Sequence, residues 1–186
     1  MLQTFRNAWA TPELRKKILY TLLIVIIYRI GGSIPVAYLD RDVLRSWFDQ
    51  QNASGNVFSY LNVLSGDNFS KGTLVALSVT PYINAQIIIQ LLTYALPPLE
   101  KLSKEGMEGR KKIDKITRYS ALAISVFQAW AYYLTLKNKA QALVYTGSDF
   151  AKIFSEIVII MCFTAGSFLT IWLGNQVSEK GLGNGI

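Results

Sequence analysis

Four long apolar stretches restrict the folds that this 186-residue sequence can adopt. They cover residues 18–36, 74–97, 119–136 and 153–173. Each is close to the roughly 20 residues that a helix needs to cross a hydrocarbon core about 30 Å thick. The alternative, a soluble all-α domain with buried helices, would leave too little amphipathic surface to solvate a globule. The sequence therefore predicts an all-α membrane protein with four spans near these positions.

The distribution of Lys and Arg predicts how these stretches are oriented. Seven basic residues lie in the 99–118 loop and four precede the first stretch, whereas the 37–73 and 137–152 loops hold three each. Cytoplasmic loops carry an excess of Lys and Arg. We therefore expect a multi-pass protein of the cytoplasmic (inner) membrane with its N-terminus, its 99–118 loop and its C-terminal end in the cytosol. The net charge of +7 mostly reflects this asymmetry.

The composition argues against an intramembrane enzyme. The sequence has no histidine, a single cysteine at position 162, and no aspartate inside an apolar stretch. Proteolysis within a membrane needs a Ser–His pair, paired aspartates or a His-Glu-x-x-His metal site. We therefore predict no enzymatic activity, no catalytic residue, no cofactor and no metal site.

The second apolar stretch carries polar residues that a simple lipid anchor would not. Pro81, Asn84, Gln86 and Gln90 lie inside it. Polar groups at membrane depth need partners in protein or in a water-filled cavity. The stretch is long enough to cross a bilayer as one helix, and we expect this helix to border something wet.

A narrow line of residues on the same helix suggests where the water is. At 100° per residue, Val79, Ile83, Gln86 and Gln90 fall within about 60° of arc. Ile88, about 140° from Ile83, is expected to face a packing neighbour. The line fits a pore wall, with an aliphatic constriction that excludes water above an amide-lined cytosolic vestibule. It fits equally well two glutamines that hydrogen-bond to neighbouring helices.

The outer loop contains two short apolar stripes at helical spacing. The first comprises Val43, Leu44, Trp47 and Phe48, and the second comprises Val57, Phe58, Leu61 and Leu64. Ser65-Gly66 is expected to end the second piece, which is too short to span a bilayer. It must rest against protein, lie at the interface or fold back into the membrane.

Two further local patterns predict helix geometry. Residues 2–17 form an amphipathic pattern that restarts at Thr11-Pro12, a cap residue followed by Pro at the first helical position. Residues 165–167 (Ala-Gly-Ser) in the fourth stretch are small enough to let a neighbouring element approach closely.

The run TPYINAQIIIQLL at 80–92 resembles the second-span signature of the SecY family of protein-conducting channels. Three further matches follow the same order along the chain. They are RIG at 29–31 with IP at 34–35, EG at 105–106 with EGRKK at 108–112 and TRY at 117–119, and WLGNQ at 172–176 with GNGI at 183–186.

The resemblance implies a fold and a function. The fold is a ten-helix pseudo-symmetric channel, of which this chain would supply the first four transmembrane helices and a short re-entrant plug helix near 57–70. The chain would stop in the cytosolic loop before the fifth span. The implied function is passive conduction: export of unfolded polypeptides across the cytoplasmic membrane and lateral insertion of helices into it.

The resemblance also assigns site residues. Val79 and Ile83 would belong to the apolar pore ring, in agreement with the line described above, and Gln86 and Gln90 would lie in the cytosolic vestibule. The remaining assignments are the plug (Val57, Phe58, Leu61, Asn62, Leu64, Gly66), the lateral gate (Asn84, Gln128) and a partner-binding loop (Arg110, Lys111, Lys112).

Several partners are implied in the same way. They are the remaining half of the channel, small SecE-like and SecG-like membrane subunits, a SecA-like motor ATPase or a ribosome, the signal sequences of exported proteins, and the lipid bilayer.

A different class of function also fits the polar second stretch. Half of a secondary small-solute transporter would place a midplane site at a broken helix, and Pro81 with Asn84 suits such a site. Transporter sites usually draw polar groups from several spans, whereas here the other stretches contribute little beyond Gln128.

Overall fold

A computed structural model describes residues 11–52, 57–144, 149–183 and 185. Most of these residues are helical, and this part of the chain contains no strand, only the isolated bridges Pro35–Thr73 and Leu39–Leu143. The predicted all-α class is therefore confirmed. The helices are α1 (Pro12–Gly31), α2 (Arg41–Asn52), α3 (Val57–Leu64), α4 (Thr80–Ala95), α5 (Pro97–Lys104), α6 (Met107–Thr135) and α7 (Asp149–Lys180), with a π-helical turn at Leu136–Ala140.

Helix α1 begins where the sequence predicts, with Thr11 as the N-cap and Pro12 in the first turn. The part of the predicted 2–17 surface helix before residue 11 lies outside the described residues. At 1.5 Å per residue, the 20 residues of α1 extend about 30 Å. The helix packs against α7 through Ile24, and the Tyr20 hydroxyl donates a hydrogen bond to Gln176 Oε1 at 2.9 Å.

The second apolar stretch is not a single helix, so that prediction is wrong. Residues 65–79 form a succession of turns, and α4 starts only at Thr80. Four residues in this segment have positive φ and so leave the right-handed helical region: Gly66, Asp67, Gly72 and Ser78. Pro81 lies in the first turn of α4, where its missing N–H is no loss. It therefore starts a helix instead of bending one.

The fourth stretch holds this turn segment in place. A Cβ at Gly166 would overlap the carbonyl oxygen of Leu74, and Ser167 Oγ donates to the carbonyl of Ser78 at 3.3 Å. The expected close approach at 165–167 is confirmed, although the neighbour is a chain of turns. The segment after α1 adds a second anchor, since Leu74 N–H donates to the Ile34 carbonyl at 2.9 Å.

The main apolar core lies where α2, α3 and the turn segment meet α6 and α7. Phe48 is packed edge-on against Phe69, and Phe69 stacks on Tyr132 with centroids 4.2 Å apart. Tyr132 in turn contacts Phe163 of α7. The first apolar stripe of the outer loop was expected to pack against other residues. Leu44 and Phe48 are buried as expected, whereas Val43 is exposed, so the prediction is wrong for Val43.

Helices α5 and α6 form a tight hairpin at the C-terminal end of α4. A Cβ at Gly109 would overlap the carbonyl oxygen of Leu102, so only glycine allows this approach. Lys104–Glu100 and Lys112–Glu105 are exposed ion pairs, each contributing at most about 1 kcal/mol. The hairpin places the basic 99–118 loop beside the C-terminal end of α4.

Among the described residues, α7 is the one helix that is long and apolar enough to cross a membrane by length and composition. Helix α4 has 16 residues, and α1 opens with several charged side chains. The four-span topology therefore stays a prediction.

Candidate pore, plug and gate region

Three residues of the predicted pore line lie exposed along α4. Ile83 is 43% exposed, and Gln86 and Gln90 are also exposed. Val79 precedes the helix as its N-cap and is half-buried, so its position on the line comes from the turn segment and not from helical spacing. Ile88 is 46% exposed, which makes the expectation of a packing role wrong.

Helix α4 exposes most of its circumference because its buried strip is narrow. Pro81, Ala85 and Ile89 are the residues buried in it. Four-residue spacing places them on one face, which is packed mainly against α6. The line of Ile83, Gln86 and Gln90 is thus one part of a broad open surface.

The two glutamines border a polar cavity of about 510 Å³ between α4, α5 and α6. Its other lining residues include Tyr82, Ser103, Arg110, Asp114 and Thr117. Arg110 therefore joins the predicted vestibule to the predicted partner-binding loop, a connection that spacing along the sequence does not reveal. Lys111 and Lys112 are exposed, and Lys112 pairs with Glu105 at 3.5 Å.

The predicted plug begins with α3, which is held to the core by one of its faces. Phe58 packs edge-on against Trp47 with centroids 5.4 Å apart, and Leu61 also contacts the main core. Val57 is 73% exposed and Leu64 is 53% exposed. The predicted four-residue packing stripe is therefore wrong for these two positions in this chain.

Asn62 and Gly66 organise the turn that follows α3. The buried Asn62 accepts a hydrogen bond from Ser70 N–H at 2.9 Å and donates one to Asp67 Oδ1 at 3.1 Å. Gly66 has φ +64°, a conformation that L side chains rarely adopt. Ser65 Oγ adds a bond to the Asn62 carbonyl. These contacts give both residues a structural reason for their identity.

The structure does not bring the two predicted gate residues to one cavity. Gln128 lines a cavity of about 200 Å³ together with Phe58 and Thr80. Asn84 does not line it and is half-buried on α4. Sequence reasoning missed Tyr132, which also lines this space and whose hydroxyl donates to the Phe69 carbonyl at 2.5 Å. A tyrosine inside an apolar stretch is the only sequence signal for it.

Helix α7 is long and apolar enough to cross a membrane, and the short helix α3 lies beside the interrupted second stretch, an arrangement that a helical membrane protein can adopt. The sequence model of the SecY family matches residues 73–186. The chain therefore belongs to the SecY family.

Relatives with the same description come from several bacteria. The chain is 37% identical to the protein translocase subunit SecY of Streptomyces coelicolor, over all of this chain and 44% of that protein. It is 36% identical to the SecY subunits of Thermus thermophilus and Mycobacterium tuberculosis, over all of this chain and 42% and 43% of those proteins. The chain thus spans less than half the length of these relatives.

Proposed function

We propose that this chain is the N-terminal portion of a passive protein-conducting channel of the cytoplasmic membrane. The channel exports unfolded polypeptides and releases helices sideways into the lipid. The observation that carries the proposal is the seating of α3 beside the turn segment from which α4 starts, where Phe58, Leu61 and Thr80 border one space. A short outer helix next to the mouth of an interrupted span is what a plug requires.

In this proposal, Val79 and Ile83 form part of an apolar ring that seals the closed channel. Water and ions avoid a narrow ring without hydrogen-bond partners, and flexible aliphatic side chains can widen around an unfolded chain. The polar cavity bordered by Gln86 and Gln90 supports an aqueous vestibule on one side of that ring.

The plug comprises α3 and the turn to residue 70, with Asn62 and Gly66 shaping its end. Val57 and Leu64, exposed in this chain, would contact the remaining half of the channel. Asn84 and Gln128 would face the lateral gate between the halves, where signal sequences enter.

Four spans with a cytosolic N-terminus complete the proposed topology. A span near 74–97 would then consist of turns followed by α4. The first half would assemble with small SecE-like and SecG-like subunits. Arg110, Lys111 and Lys112 would contact a SecA-like motor ATPase or a ribosome, which supplies the energy, so that the channel itself performs no chemistry.

Membership of the SecY family favours the channel over a small-solute transporter, because its relatives are described as protein translocase subunits. Asn84 and Gln128 do not line one cavity, which also favours the channel, because a transporter site brings its polar groups together.

The test is reconstitution of the full-length protein with its membrane partners in vesicles. Uptake of an unfolded precursor bearing a signal sequence is expected in the presence of the motor ATPase and ATP, and not without the signal sequence. Failure of uptake, with uptake of a small solute instead, would overturn the proposal. In the same vesicles, a Lys111→Cys variant should react with a membrane-impermeant thiol reagent from the cytosolic side and a Lys139→Cys variant from the opposite side.

A further inference from the structure

A small polar pocket of about 170 Å³ lies where the end of α1 meets the turn after α3. Its lining comes from two separate parts of the chain. The end of α1 and the two residues after it contribute Tyr28, Arg29, Gly32 and Ser33, and the turn segment contributes Gly66, Asn68 and Lys71. It is separate from the pore line, the vestibule and the space beside α3.

Hydrogen bonds fix the walls of this pocket. Asn68 is buried and donates to the Ser65 carbonyl at 2.8 Å and to the Tyr28 hydroxyl at 3.4 Å. A Cβ at residue 32 would lie 2.8 Å from Asn68 Oδ1, so glycine allows the two segments to close together. The pocket is therefore built by tertiary contacts and not by a mobile loop.

Two cations line the pocket without a carboxylate to neutralise them. Arg29 and Lys71 are both exposed, and within the described ranges neither forms an ion pair. The one acidic residue of the 65–79 turn segment is Asp67, whose carboxylate accepts a hydrogen bond from Asn62. Arg presents a fork of N–H donors that matches two phosphate oxygens, and Lys adds a point charge.

An apolar surface continues directly from the pocket along α1. Leu22, Val25 and Ile26 are exposed and lie within about 60° of Arg29 on the helix, one or two turns before it. A free anion would gain nothing from these side chains, whereas acyl chains would cover them. The combination of paired cations above an exposed aliphatic strip is the pattern of a phospholipid.

We propose that Arg29 and Lys71, with Ser33 beside them, bind the phosphate of a phospholipid whose acyl chains lie along Leu22, Val25 and Ile26 of α1. This site lies in the outer leaflet of the membrane, an assignment that rests on the topology proposed above. A lipid held here would bridge the end of α1 to the turn that follows the plug helix.

The experiment uses the full-length channel with its partner subunits in nanodiscs of phosphatidylcholine doped with a photoactivatable phosphatidylglycerol. After irradiation, mass spectrometry measures lipid adducts on peptides from the end of α1 and from the 65–73 turn. An Arg29→Gln/Lys71→Gln variant is expected to lose about twenty-fivefold in labelling, because each cation near a charged lipid surface contributes a factor of about five. An Arg45→Gln/Lys139→Gln variant removes the same charges on the same proposed side and should keep its labelling.

Three outcomes would overturn the proposal. They are unchanged labelling in the first variant, an equal loss in the control variant, and complete displacement of the lipid by excess soluble glycerol phosphate, which would indicate a site for free anions. An Arg29→Lys variant keeps the positive charge and should retain most of the labelling. It therefore distinguishes the loss of a charge from misfolding caused by a substitution at this position. Precursor uptake measured on the same preparations tests the channel function independently, since lipid labelling requires no translocation.

Discussion

Replacing Tyr132 tests how firmly the turn after the plug helix is held. The Tyr132 side chain is buried, stacks on Phe69 and donates to the Phe69 carbonyl. Tyr132→Phe removes only the hydroxyl. Because Gly72 N–H also donates to that carbonyl at 3.3 Å, the acceptor keeps a partner. The loss should therefore be close to a net hydrogen bond, about 1 kcal/mol, and not the full penalty of an orphaned group.

Tyr132→Ala removes the ring as well and should be far more damaging. Truncating a buried aromatic side chain costs about 3–5 kcal/mol, because it leaves a cavity between Phe69 and Phe163. Since the 65–79 segment connects α3 to α4, we expect the population with a released plug to rise about fivefold in the Phe variant and by at least a hundredfold in the Ala variant.

The assay is ion leak through the full-length channel reconstituted in vesicles, together with its thermal unfolding. The matched control is Tyr119→Phe, an exposed tyrosine on the same helix, which should change neither quantity. Equal behaviour of the Tyr119 and Tyr132 variants, or a larger effect of Phe than of Ala, would refute the idea that this contact restrains the plug.

Three further predictions follow from the same geometry. Ile83→Asn should raise ion leak and relax the demand for a good signal sequence, whereas Ile89→Asn, at a buried position, should reduce stability without that relaxed export; identical export phenotypes would argue against the pore line. Gly166→Ala should destabilise the protein strongly in a thermal unfolding assay, since the added methyl overlaps the Leu74 carbonyl, and a neutral result would mean that α7 shifts freely. Changing residues 110–112 to Glu should weaken binding of the motor or ribosome more at low salt than at high salt, and salt-independent binding would contradict it.

Local signals predicted much of the fold. The start of α1 follows from Thr11 and Pro12, because a cap residue before a proline is a short-range pattern. The helical fourth stretch follows from its long and mostly apolar run. Helical spacing also placed Ile83 and two glutamines on one line of α4, but it left open whether that line is exposed or packed.

The parts that sequence reasoning missed depend on contacts between distant residues. Apolar composition made 74–97 look like one helix, yet the stretch before Thr80 is held in turns by Ile34, Gly166 and Ser167. Hydropathy does not register such partners. The prediction that Val57 is packed was wrong for a related reason. The apolar stripe gives the spacing of side chains along α3, but it does not indicate which side of α3 contacts a neighbouring element.

Membrane class, charge asymmetry and family therefore come from the sequence, since each is a sum over residues or a match of neighbouring letters. The backbone course of 65–79, the joining of Arg110 to Gln86, and the pocket between Arg29 and Lys71 come from the folded chain. Each of them requires segments that lie about 20 to 100 residues apart to meet at hydrogen-bonding or van der Waals distance. That meeting depends on how the helices pack, and no local pattern encodes it.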